Sequence, residues 1–473
     1  MTVKDIDVNE TIANARSMLK KSESIAPEFK AMVELLILVI TLMAGKLQTN
    51  SGNSSIPSSK NPLDAKKKNK SKAKGVKSRS SGAQVGHKGA NLKPVHSPDK
   101  IEEILIDRRT LPTGNYRSDG FETRQVFNVK ISTEVTEYRA EVLVDDNGQR
   151  FVANFPSEVS SYTQYGGSVK AQSVYMSIWQ LVPLMRVCDF FQSQFGMGVS
   201  KGSISNFNKS AYQKLEGFEH WAKNQLIDAA VNNADETGIN VGGKNHWLHS
   251  ISNQKVALFH PDEKRGKEAM VRMGVLEKYK GKLVHDHWKP YYSFDLVHCL
   301  CNAHHLRELT WAVEVEEQKW AQKMHDFLVK LNKSTDKNGG SIEPSEVQKY
   351  QKKYRAILKS GEKECPLLEQ ISGQRGRAKQ SKSRNLLSRL KDFESDVLRF
   401  AQDKEVPFTN NSGENDIRMT KVQQKVSGCF RSLEGAKIFC RIRSFMLTCQ
   451  KQGYNPFTSL EDLFQGKNPE FMT

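Results

Sequence analysis

The sequence predicts an α/β core interrupted by a large helical insertion, and three observations carry that prediction. Short strands alternate with one helix between residues 229 and 286. The stretch from about 306 to 400 carries a helical apolar period throughout. Three acidic residues, Asp235, Asp286 and Glu414, each stand where a strand end or a helix start can present a carboxylate.

At 473 residues the chain calls for two to four structural units. A hydrophobic share of 37% supplies a globular core, while a formal charge of +18 favours a polyanionic partner. Between Lys60 and Lys100 twelve Lys or Arg face two Asp, so more than half of the excess charge is local. Seven cysteines with no C-x-x-C pair do not describe a disulfide framework, and no secretory signal is legible, so a cytoplasmic, nucleoid-associated setting is expected. The most apolar stretch, Ala31 to Ala44, is broken by Glu34 and is shorter than the roughly 20 residues of a spanning helix, so no membrane is expected.

In residues 1–48 the positions Ile12, Met18, Leu19, Met32, Leu35, Leu36, Val39 and Leu42 fall at helical spacing, for an oligomer contact or for packing within one domain. Residues 49–98, rich in Ser, Asn, Gly and Lys, form a disordered basic linker, with Lys66, Lys67, Lys68 and Lys70 as phosphate contacts. Residues 99–160 alternate apolar and polar side chains around Val126 to Ile131 and Glu141 to Val144, and Asp145-Asp146-Asn147-Gly148 supplies a turn, which predicts a small β-rich unit.

Residues 165–225 turn helical. Val187 to Phe195, the Gly196-Met197-Gly198 turn and Ser200 to Leu215 with Ser200 as N-cap give a helix-turn-helix outline. Its second helix carries Lys201, Ser203, Ser205, Asn206, Asn208 and Lys209, polar groups able to meet base edges or phosphates, although helical hairpins that bind no DNA are commoner.

The core is expected over 226–430, followed by a helical segment at 431–473. Ala229 to Val241 reads as a strand ending in Asp235-Glu236-Thr237-Gly238; His246 to Ser252 and Lys255 to His260 follow, then a helix from about Lys264 to Tyr279 and a strand, Lys282 to His285, that delivers Asp286. Three antiparallel strands, a helix and a fourth strand beside the first is the ribonuclease-H-like order, which sets Asp235 next to Asp286. Two close carboxylates repel unless cations bridge them, typically two divalent ions about 3.5 to 4 Å apart. Oxygen ligands point to Mg²⁺ or Mn²⁺. Asn411 can cap a helix whose third position is Glu414, with Arg418, Lys421 and Lys425 on the same face as phosphate contacts; the alternative is a capping box closed by Glu414 itself. Cys299, Cys301, His304 and His305 offer soft ligands, but their spacing is not a standard zinc pattern, and packing at a strand-to-helix junction is the expected role.

At these residues the chain closely resembles the insertion sequence 66 (IS66) family of bacterial DDE transposases. The likeness runs through Asp235-Glu236-Thr237-Gly238, Trp247-Leu248-His249, Arg265-Gly266-Lys267-Glu268-Ala269 and His285-Asp286-x-Trp288-x-x-Tyr291. It continues through Cys301-Asn302-Ala303-His304-His305-Leu306-Arg307, Val406-Pro407-Phe408-x-Asn410-Asn411 and Glu414-x-x-x-Arg418. The resemblance implies that Asp235, Asp286 and Glu414 are catalytic and metal-binding, and that Cys301, His304 and Arg307 belong to a C-x-x-H structural motif. It also implies strand cleavage and strand transfer on double-stranded DNA, at element ends and target, by a homodimer or larger synaptic assembly with accessory proteins of the element. Many relatives carry zinc cysteines in the region matching 100–150; here no cysteine precedes Cys188, so no zinc is expected. Relatives commonly read Ala-Glu-Arg at the third acid, where this chain has Gly413-Glu414-Asn415. The rival readings are a catalytically decayed copy that acts only as a DNA-binding protein or repressor, and a tyrosine or serine recombinase working through a covalent adduct.

Overall fold

The structure, a computed structural model, describes residues 2–3, 6–21, 26–54, 92–369 and 378–472. Lys66, Lys67, Lys68 and Lys70 lie outside the described residues. The chain divides into two units, residues 67–159 and the remainder.

At the N-terminus, α1 (Val8–Lys21) and α2 (Pro27–Gln48) are helical. Leu19 and Ile37 are buried while Met32, Leu35, Leu36 and Val39 remain exposed.

Within residues 92–159 the expected β-rich unit reduces to one hairpin of three-residue strands, β1 (Val142–Val144) and β2 (Arg150–Val152), paired Val142 to Val152. Its turn is the one expected: Asp145 accepts the N–H groups of Asn147 and Gln149, and Gly148 takes φ +80°. The alternation at Val126 to Ile131 pairs with nothing and leaves Val129 88% exposed. Strands this short, with no second layer to bury a face, gain little from pairing.

From Gly167 onwards apolar faces find partners. Helix α3 (Gly167–Val174) passes into a π turn at Tyr175–Trp179; α4 (Leu184–Phe195), α5 (Lys201–Lys214) and α6 (Glu216–Ile227) follow. Gly196, at φ +64°, ends α4 with its N–H on Gln192 O while Met197 N–H reaches Phe191 O, and Ser200 Oγ accepts the N–H of Ser203 to start α5.

The sheet holds β3 (Val231–Val241), β4 (Lys244–Ser252), β5 (Ala257–Asp262), β6 (Lys282–His285) and β7 (Val297–Leu300) in the order β5-β4-β3-β6-β7. The first three are antiparallel; β3, β6 and β7 run parallel. Gly242 and Gly243, both at positive φ, make the two-residue turn between β3 and β4. The intervening helix α7 (Lys267–Met273) is shorter than expected, because Gly274 at φ +79° stops it and Tyr279 instead turns inward to donate to Lys282 O.

Two cores flank this sheet. One joins the sheet to α3–α6 and to the C-terminal helices α14 (Leu433–Lys451) and α15 (Pro456–Phe464), around Phe218, Leu248 and Phe445. The other joins Val284, Cys299 and Leu300 to the insertion helices α8 (Asn302–Glu316), α9 (Lys319–Lys337), α10 (Pro344–Glu364), α11 (Lys382–Asp392) and α12 (Glu394–Gln402), around Trp320 and Tyr354. The edge strand β5 gives its Ala257 and Phe259 N–H groups to Thr448 Oγ1 and Ser444 Oγ of α14. The other edge, β7, offers His298 O to Arg399 Nε of α12.

Helix α13 (Asn411–Ser427) runs beside β3. Asn410 Nδ2 is tied to Ala234 O at one end, and Phe430 exchanges backbone hydrogen bonds with Asn240 and Gly242 at the other. Seventeen helical residues span about 25 Å, close to the ~23 Å from Ala234 to Val241 on an extended strand.

Candidate functional site

Asp235 sits inside β3, opposite Ser250 of β4, in a strand that runs on to the expected Val241. The parallel register pairs Asn233 with Val284; two residues further along both strands stand Asp235 and Asp286. A two-residue step returns each side chain to the same face of its strand, and parallel neighbours lie about 4.8 Å apart. Asp286 directly follows the last residue of β6 and accepts the N–H of Trp288 through Oδ1. The next residue, His287, takes φ +69°, held by its ring against Phe393 at 4.4 Å and Tyr292 at 5.4 Å. A non-glycine residue in the left-handed region costs free energy that surrounding packing must offset.

Glu414 lies in the first turn of α13. The N-cap is Asn410, one residue earlier than the expected Asn411, and it makes no side-chain cap bond, so the alternative of a capping box is not formed. Its amide is spent elsewhere. Asn410 Oδ1 accepts from Asn233 Nδ2 at 2.7 Å, Nδ2 donates to Ala234 O at 2.8 Å, and its backbone N–H donates to Cys301 Sγ at 3.1 Å. One buried residue, through its side chain and its backbone N–H, thus joins β3, the β7–α8 junction and the start of α13. Gly413 permits this approach, since a Cβ there would stand 3.0 Å from Asn410 Oδ1 and 3.1 Å from Asn233 Cβ.

Electrostatics report the crowding. Asp235 is pushed up to about 8, first by burial, then by the negative charges of Glu236, Asp286 and Glu414. Burial and Asp286 raise Glu236 as well, against the hydrogen bonds from Arg265 Nη2 and Tyr291 OH, both 2.8 Å. Arg265 is clamped between Trp247 and Trp288, its Cζ 4.5 and 4.3 Å from the two ring centres. Glu414 Oε1 is buried without a hydrogen-bond partner; His304 Nδ1 stands 3.7 Å from it and Arg307 Nη2 3.7 Å from Oε2, ion-pair distances too long for hydrogen bonds. Among the described residues, the set of three acidic, histidine or cysteine donor atoms that lie within 4.8 Å of one another is Cys301, His304 and Glu414. Asp235 feels the charges of Asp286 and Glu414, although among the described residues the three are not gathered to that distance.

The insertion contributes a residue that no motif pointed to. Arg389 of α11 is lowered by burial while Asp286 draws it back up, and it pairs closely with Glu308 of α8. Beside it a cavity of about 330 Å³ is lined by His304, Arg307, Trp311, Lys382 and Arg389, together with Asn53 and Ser54. Glu236, Arg265 and Asn410 lay inside the motifs already quoted, so their signal was present; Arg389 had none.

Of the expected DNA contacts, Lys201 and Asn206 are exposed on α5, and Ser203 is half-buried with its hydroxyl against Ser200. Asn208 is corrected: it is buried and accepts from Ser177 Oγ, because it falls on the face with Ile204, Phe207 and Ala211 that packs into the core. Lys209 pairs with Glu434. On α13, Arg418, Lys421 and Lys425 are exposed, and Lys421 donates to Gly238 O.

A mixed sheet with acidic side chains on adjoining strands, covered by an all-helical insertion, defines an α/β protein whose polar centre lies beside the two middle strands. The chain belongs to the transposase IS66 family, whose family model matches residues 162–438. Among curated proteins none matches the chain. No described helix is long and apolar enough to cross a membrane.

Proposed function

We propose that this chain is the DNA transposase of a bacterial insertion sequence, with a ribonuclease-H-like core that cuts and rejoins strands through Asp235, Asp286 and Glu414. The observation that carries the reading is the β3–β6 register, which runs Asp235 and Asp286 out on adjoining strands while Asn410 fastens the start of α13, and so Glu414, to the same strand. A carboxylate lifted to about 8 by burial and by its acidic neighbours and an orphaned carboxylate oxygen fit divalent cations, two in number, and the oxygen donors favour Mg²⁺ or Mn²⁺. When bound, such ions supply charge neutralisation and Lewis-acid activation to an in-line attack on phosphorus.

The chain's own residues do the rest. Asp235 and Asp286 hold the negative field, and Arg265 with Tyr291 keeps Glu236 fixed behind Asp235. Arg307, Lys382 and Arg389 line a cavity suited to phosphate, while Arg418 and Lys425 offer exposed cations along α13. The α4–α5 pair, with Lys201 and Asn206 outward, is proposed to meet the terminal inverted repeats, and Lys66, Lys67, Lys68 and Lys70 to add salt-dependent affinity. Double-stranded DNA, a homodimer or larger synaptic assembly and accessory proteins of the element complete the proposal.

The test is purified full-length protein with Mg²⁺ and labelled DNA carrying the element's own termini. Wild type is expected to nick and join; Asp235→Asn, Asp286→Asn and Glu414→Gln are each expected to lose roughly 10³-fold or more in cleavage while still shifting the DNA. A variant that still cuts removes its residue from the site. Wild type that shifts DNA without cutting is a binding protein or repressor, and a covalent protein–DNA adduct is a recombinase of another class.

A further inference from the structure

We infer that Cys301, His304 and Glu414 form a site for a thiophilic transition-metal ion such as Zn²⁺, which competes for the third carboxylate and thereby restrains the reaction proposed above. The binding stands on geometry alone; only its inhibitory consequence rests on the proposed function.

The three donor atoms lie within 4.8 Å of one another. A tetrahedral ion with bonds of about 2.0 to 2.3 Å sets neighbouring donors about 3.3 to 3.6 Å apart. His304 Nδ1 and Glu414 Oε1, at 3.7 Å, are already close to that separation. Both atoms are buried and have no hydrogen-bond partner, a rare condition for polar atoms in a folded interior and one that a shared ion satisfies. Cys301 and His304 are three apart across the first turn of α8, so they share a helix face. Cys301 Sγ is buried and receives the N–H of Asn410, the kind of outer support that orients a thiolate ligand.

Three protein donors leave a fourth position open, the pattern of an exchangeable rather than a closed structural zinc site. Sulfur and imidazole favour Zn²⁺ or Co²⁺ over Mg²⁺. Glu414 therefore serves two cation chemistries, and an ion held by Cys301 and His304 withdraws it from the oxygen-only set. Local spacing conceals this site because the third ligand arrives from α13, more than a hundred residues further along the chain.

The test titrates Co²⁺ into the full-length protein without DNA or Mg²⁺. One equivalent is expected to produce a sulfur-to-cobalt charge-transfer band with the intense visible absorption of tetrahedral Co²⁺, displaced by Zn²⁺ but not by excess Mg²⁺. Cys301→Ser is expected to abolish the charge-transfer band, Cys299→Ser to keep it, and His304→Ala to weaken Co²⁺ at least about tenfold. No band with folded wild type, or a band that survives Cys301→Ser, overturns the inference. Should Cys301→Ser fail to fold, unchanged Co²⁺ affinity in His304→Ala overturns it instead. Stoichiometric Zn²⁺ in excess Mg²⁺ is expected to slow cleavage by wild type about tenfold or more and His304→Ala less. A protein that never cuts leaves the cobalt result standing, and one that cuts without a band sinks only this inference.

Discussion

Residues 92–159 and residues 162–438 both carry patterned apolar side chains, yet only the second region buries them. In the first, Ile104, Val126, Val129 and Val135 are exposed on a chain whose strand pairing is one short hairpin. In the second, side chains of the same kind, Val187, Ile204, Leu248 and Ile251, are almost fully enclosed. Alternation alone supplies a face; a second layer is needed before that face contributes at roughly 25 cal/mol per Å². Region two has that layer on both sides of its sheet.

Trp320→Ala, which empties the centre of the insertion core, is expected to cost about 3 to 5 kcal/mol in chemical denaturation; a loss below about 1 kcal/mol would mean that this core is not cooperative with the fold. Acid should act on the same region. Burial holds His249 down to about 4 and keeps His285 and His305 well below their ordinary value. The unfolded chain protonates these rings below about pH 6.5 while the fold keeps them neutral. Their contribution to stability is thus full above that value and is lost as pH drops towards 4, with His249 alone accounting for something on the order of 2 kcal/mol by pH 5, while Asp235, pushed up to about 8, acts in the opposite sense over the same window. The stability difference between wild type and His249→Gln isolates the imidazole, and a difference that does not change between pH 7 and 5 would contradict it.

Asn410→Ala should cost about 1 to 3 kcal/mol by stripping partners from Ala234 O and the Asn233 amide. It should also lower cleavage more than DNA binding, because α13 loses its fastening to β3; equal losses in both would point to plain unfolding. Val129→Thr, by contrast, is expected to change stability by less than about 0.5 kcal/mol, and a larger effect would show that residues 92–159 bury it after all.

Much of the second region could be read from the chain because its signals were local. Ser200 and Gly196 mark helix ends through their own backbone chemistry, and the strand–helix–strand order up to Asp286 follows from side-chain period. What escaped reading was long-range. Asp235 lies in the middle of its strand rather than at its end, because pairing with β4 continues past it to Val241. Asn208 carried an outward polar expectation, but the packing of α5 turned it inward. Arg389 and the meeting of Glu414 with Cys301 and His304 depend on helices far apart in sequence, which no spacing rule encodes. In residues 99–160 the period yields one hairpin and leaves the stretch from Val126 to Ile131 uncovered, since nothing local states whether a face will be covered.

The two borders of the sheet have a further consequence. Hydroxyls of Ser444 and Thr448 occupy the outward amides of β5, and the guanidinium of Arg399 occupies a carbonyl of β7. A neighbouring chain therefore cannot extend this sheet by adding a strand without first prising away α14 or α12. Contact at either border thus meets helical surfaces and side chains before it meets the backbone lattice of the sheet.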